Sequence, residues 1–217
     1  MMTKQIYAFA TLDEAILILG KFGKDFKFPQ HAFSKNEIVT KSVASNIFRA
    51  FQNLDTSPSV IYRNWANENF DPILKDFKIV NSQKEYYNFL QKYSDSLILR
   101  WAEVTSNPNS YLVYGPALKM INLLIKWIQE SEMFKQPDKL KYQQIPFDSF
   151  SLQPIRLIVN ELTGVNYKIS IPPNASMGFI NTPQLYSLLM DSVYKLCSLS
   201  QIDPIVYDYW AWEDKHL

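Results

Sequence analysis

Apolar residues recur at helical spacing along almost the whole chain, and strand-like alternation is nearly absent. In SKNEIVTKSVASNIFRAFQN, Ile38, Val43, Ile47, Phe48 and Phe51 share one helical face. In TPQLYSLLMDSVYKLCSLS, Leu185, Leu188, Leu189, Val193 and Leu196 do the same, with Thr182 as N-cap and Pro183 at the first helical position. Capping-box pairs mark three starts: Thr11 with Glu14, Ser34 with Glu37, and Ser82 with Glu85. SPSVIYRNWANENF and DPILKDF read as two short helices. SQKEYYNFLQKY and SDSLILRWAEVTS follow, ending in a turn at Asn107-Pro108-Asn109. A helix is expected over roughly 116–131, with Pro116 at N1. KQPDKLKYQQIP is a polar connector, and DSFSLQPIRLIVNELTG is helical with a restart or kink at Pro154. NYKISIPPNASMG is a loop with room for one short strand, and DPIVYDYWAWEDKH closes the chain. The pattern predicts an all-α protein.

Composition narrows the functional classes. With 217 residues, the chain suits one domain or two lobes sharing a core, and 47% hydrophobic content supports a full core. The formal charge of +1 argues against general coating of nucleic acid, though not against a specific site. Cys197 is the single cysteine, and His31 and His216 are the only histidines, so neither a disulfide nor a zinc cluster of Cys and His is expected. No leader pattern and no long apolar span appears, which predicts a cytoplasmic protein without a membrane partner. Gly is scarce, at 5 residues, and no Gly-rich phosphate loop is present.

What chemistry remains centres on a lysine and a carboxylate. YGPALKMINLLIKWIQ is almost wholly apolar, yet Lys119 stands near its start, followed by Asn122 and Lys126. A helix N-terminus and burial both disfavour an ammonium, so a lysine held there can serve as an amine nucleophile. The competing reading is plain: Lys119, Asn122 and Lys126 lie three and four apart and could form the wet face of the helix. Asp148, in IPFDSFSL, is first an N-cap for the helix that follows it. A carboxylate in that place can also stabilise an oxocarbenium ion at a sugar C1′.

This order of residues resembles the helix-hairpin-helix DNA glycosylases, and within them the archaeal 8-oxoguanine glycosylase branch. Gly115-Pro116-Ala117-Leu118-Lys119 stands where that superfamily carries its hairpin and catalytic lysine, and Pro146-Phe147-Asp148 where it carries its catalytic aspartate. Phe51-Gln52, with Tyr62 and Trp65 downstream, and the spacing Pro204, Asp208, Trp212 resemble further stretches of the branch. The resemblance covers roughly residues 40 to 215. It implies a base flipped between Gln52, Asp208 and Trp212; Trp210, the extra ring of this tail, is expected to join that pocket and suit it to a different base. Tyr114, Gly115, Lys126 and Arg49 would hold the DNA. Two departures stand out: the hairpin has one glycine where two are usual, and the tail carries a second tryptophan.

The resulting expectation is a DNA glycosylase, with lyase activity, in two helical lobes separated by a cleft. The first lobe comprises about residues 1–95 plus the C-terminal tail, and the hairpin lobe about 96–180. Lys119 is the nucleophile, Asp148 stabilises the C1′ cation, and no metal or organic cofactor is required. The partner is a modified or damaged duplex and the enzyme is a monomer. Its substrate is 8-oxoguanine or a modified base of phage type, the latter implying defence. The alternative is a non-catalytic all-α module for interaction or nucleic-acid binding, with Lys119 at the surface and Asp148 only a cap.

Overall fold

The computed structural model describes residues 7–43, 48, 56–105, 112–164 and 168–213. Among them the fold is all-α, without a strand; one isolated parallel bridge joins His31 and Ser131. Nine α-helices are described: α1 (Leu12–Asp25), α2 (Lys35–Ser42), α3 (Pro58–Ile79), α4 (Gln83–Glu103), α5 (Tyr114–Glu130), α6 (Ser149–Ile155), α7 (Val159–Thr163), α8 (Pro183–Ser200) and α9 (Pro204–Glu213). None is long and apolar enough to cross a membrane. The chain divides into two compact units, one of Met1–Lys27 with Gln144–Leu217 and one of Phe28–Gln143.

The capping residues act where the sequence places them. Ser34 and Glu37 form a reciprocal box. The Thr11 and Ser82 hydroxyls accept from the amides of Glu14 and Glu85. Both glutamates reach one residue further back than a box requires, to the amides of Ala10 and Asn81, which secures one more amide ahead of the helix.

In the unit of Phe28–Gln143, α2 packs on α3, α3 on α4, α4 on α5, and α5 returns to α2. Two expected breaks are absent. Residues 58–79 form one helix across Pro72, and residues 83–103 form one helix without interruption. Interior proline costs about 3 kcal/mol. Ile61, Tyr62, Trp65, Ala66, Phe70, Ile73 and Phe77 are all buried, a stripe that continues through the proline. Tyr86, Phe89, Leu90, Tyr93, Leu97 and Trp101 do the same along α4. Each buried side chain of this size contributes about 1.5–3 kcal/mol, so a shared stripe outweighs one broken turn.

The other unit holds α1 and α6–α9. There α8 packs on α1, α7 and α9, and α9 also packs on α6. The helix expected to restart or kink at Pro154 instead carries it inside α6, which ends at Ile155, and the restart comes later, with α7 at Val159. The described part of the expected loop, from residue 168, is irregular with one short 3-10 turn, Met177–Phe179. Among the glycines of this unit, Gly23 permits the closest approach. A Cβ there would stand 2.3 Å from Ile202 Cγ2. Ile202 is itself fixed just after α8, where Gln201 takes the left-handed conformation at φ 57 and the Ile202 amide donates to Cys197 O.

Candidate active site

In the unit of Phe28–Gln143, α4 and α5 run antiparallel. Tyr114 donates its hydroxyl to Gln91 Oε1 at 2.9 Å, while Tyr86, earlier on α4, donates to Asn122 Oδ1 at 3.3 Å, later on α5. Gln91 precedes the end of α4 by about 18 Å of helix rise. Thus α5 starts beside the middle of α4; residues 106–111, which join the two helices, lie outside the described residues. The Tyr114 phenol is pushed above its ordinary range by burial first, then by Tyr87 and Asp95.

The lysine helix starts earlier than expected. Val113 is its N-cap, so Pro116 is its third residue, a position whose amide has no intrahelical acceptor. Lys119 is then the sixth residue, beyond the first turn in which the helix dipole acts strongly. Burial is the larger feature. Every residue from Gly115 to Asn122 is buried, Lys119 at 9% exposure and Asn122 at 0%. Asn122 Nδ2 donates to Leu118 O at 3.1 Å, and its carbonyl accepts from Tyr86. The wet-face reading therefore fails at two of its three residues, and only Lys126 is half-buried. The apolar pattern suggested one dry face, whereas α5 is enclosed nearly all round. Gln52 and Arg49 lie outside the described residues.

In the other unit, the sequence around Asp148 builds a complete cap. Asp148 Oδ1 accepts from the amides of Phe150 at 2.9 Å and Ser151 at 3.2 Å. Ser151 Oγ accepts from the Asp148 amide at 2.8 Å. Asp148 is 5% exposed, so its carboxylate is withdrawn from bulk water. The first turn of α6 also meets α9: the Tyr207 hydroxyl donates to Ser151 O at 2.5 Å, and the Phe150 and Trp212 rings lie 5.2 Å apart. The structure thus assembles Asp148 and the tail residue Trp212 about one helical turn. Asp208 lies next to Tyr207 on α9, fully buried, and both Asp208 and Asp148 act electrostatically on the Tyr207 phenol.

Trp210 takes a different place from Trp212. It stacks on Phe9 at 4.8 Å with an interplanar angle of 18° and is 5% exposed. Its ring is packed into the core of this unit, while Trp212 is half-buried. Tyr207, Ser151 and Phe150 were not anticipated as site residues. Asp148 and Ser151 are legible together as an N-cap three residues from a polar partner, but nothing local marks Tyr207 as their contact.

Two open hollows flank α1 in the same unit. One, about 570 Å³, is lined by Phe22, Phe26, Lys21, Lys27, Trp210 and Glu213 among others. The second, about 550 Å³, involves Leu17, Gly20, Lys24 and Leu199. Neither is lined by Asp148, Asp208 or Trp212. Among the described residues no group of three or more His, Cys, Asp and Glu side chains could hold a metal ion. Comparison with known proteins gives no further assignment: no family model, curated protein or solved structure matches this chain.

Proposed function

We propose that this chain is a DNA glycosylase that excises a flipped-out modified base, with Lys119 as nucleophile and Asp148 stabilising positive charge at C1′. The observation that carries the reading is the burial of Lys119: a lysine at the position implied by the resemblance is withdrawn from water within an unbroken buried stretch. Asp148 supports it, because a carboxylate held by two backbone amides is pre-oriented and needs no reorganisation as charge develops.

In this reaction the Lys119 amine attacks C1′ as the N-glycosidic bond breaks, and the new C1′ ammonium gives up a proton. The base leaves with the bonding pair and takes up that proton, and water protonates the ring oxygen as the sugar opens. Opening of the sugar ring gives an iminium at C1′, from which loss of a C2′ proton expels the 3′ phosphate. Trp212 offers a half-buried ring for stacking, set against Phe150, whose amide holds Asp148, as base-flipping sites require a face for the extruded base. Substrates are 8-oxoguanine or a modified base of phage type, acted on by a monomer.

Borohydride trapping tests the proposal on duplexes carrying 8-oxoguanine, uracil, an abasic site, or hydroxymethylated or glucosylated cytosine. An adduct that disappears in Lys119→Gln supports the lysine mechanism, and the best-trapped duplex names the base. Base release without an adduct would retain Asp148 alone, in a monofunctional enzyme. Neither adduct nor release would favour the non-catalytic module. The full burial of Asp208 and the packing of Trp210 on Phe9 suit that module as well.

A further inference from the structure

Helix α9 is fastened to α6 at the turn that holds Asp148. Tyr207, with 0% exposure, donates to Ser151 O, and Trp212 rests against Phe150. These are the two residues whose amides hold Asp148 Oδ1, and Ser151 also binds the Asp148 amide through its hydroxyl. A displacement of Ser151 would therefore move two of these three bonds. Capping itself does not need this fastening, since an N-cap aspartate and its N3 partner suffice for a helix start. The Tyr207 hydroxyl adds a long-range restraint to a cap already complete in local terms. Burial, followed by the charges of nearby acidic groups including Asp208 and Asp148, holds the phenol protonated well above its ordinary range. It therefore remains a donor at any pH at which the site would work.

We propose that Tyr207 is a positioning residue for the Asp148 carboxylate, transmitting the placement of α9 to the group that would face C1′. The inference rests on the reading of Asp148 as the cation-stabilising carboxylate. Through Tyr207, the tail that offers Trp212 to the base also orients the acid, so base docking and charge stabilisation share one rigid part.

Tyr207→Phe in the full chain is the test. The phenylalanine ring can keep the contact with Trp210, whose ring centroid lies 6.0 Å from that of Tyr207, so the variant is expected to fold. Two readouts are taken: amide hydrogen exchange at Phe150 and Ser151, and single-turnover base release with duplex affinity on the duplex selected by trapping. Positioning predicts faster exchange at both amides and base release slowed about 10- to 100-fold, with duplex affinity unchanged. Unchanged exchange would overturn the fastening. Faster exchange with an unchanged excision rate would overturn the positioning role. If wild type excises nothing on any duplex, the enzyme reading falls and the positioning role with it; an exchange difference would then remain as a structural clamp only.

Discussion

Replacing Asp148 by Asn and by Ala separates its two roles. As a cap, its Oδ1 accepts from Phe150 and Ser151. Asn caps helices about as well as Asp and retains an acceptor oxygen, so Asp148→Asn is expected to change stability by less than about 1 kcal/mol. Asp148→Ala removes the acceptor, at a typical cost of about 1 kcal/mol for a lost cap. Ser151 is fully buried, so its amide cannot turn to water in compensation. An unsatisfied buried donor adds about 1–3 kcal/mol, giving a total of about 2–4. For a chain of this length, each kcal/mol lowers the melting midpoint by about 2–4 °C, so Asp148→Ala should melt roughly 4–16 °C below wild type. Urea and thermal unfolding measure this. Base release measures the second role: removing a preorganised electrostatic group costs about 10²–10³ in rate, and Asp148→Asn should show that loss while keeping its stability. Equal destabilisation by both substitutions would refute the capping argument. A stable Asp148→Asn variant excising at the wild-type rate would reduce Asp148 to a cap.

Gly23→Ala should destabilise the fold, because the new Cβ meets Ile202 Cγ2 at 2.3 Å; repacking of this kind costs about 1–3 kcal/mol against a helix-propensity gain of about 1. In an Ile202→Ala background the same change should stabilise, and urea unfolding of the double-mutant cycle would show no coupling if the approach is not close. Stability should fall as pH rises above about 10, the ordinary phenol range. Burial raises Tyr62, Tyr93, Tyr114, Tyr194 and Tyr207 above that range in the folded chain, so the native state keeps protons that the unfolded chain releases. Denaturant midpoints that stay level between pH 9 and 11.5 would contradict this. Cys197, 1% exposed and with its thiol raised by burial, should resist iodoacetamide in the native protein and react on unfolding, as read by mass spectrometry.

The sequence by itself determined what depends on a few neighbouring residues. Thr11, Ser34, Ser82, Asp148 and Thr182 each cap the helix they were expected to start, since a side chain reaching an amide two or three residues on needs no other part of the molecule. The all-α class followed from the same short-range periodicity. Tertiary packing decided the rest. Pro72 looked like a break because local cost is all that sequence displays, yet burial of Phe70, Ile73 and Phe77 on one face carries the helix through it. Lys119 and Asn122 looked like a wet face because the pattern counts polar residues without showing what encloses them. Trp210 and Trp212 are two residues apart in one short aromatic helix; Phe9 takes the first into the core and Phe150 meets the second beside Asp148. The contact of Tyr207 with Ser151 spans 56 residues, and no local rule reaches that far. Caps and periodicity are short-range and survive in the letters, whereas the surroundings of a buried polar group are set by segments distant in the chain.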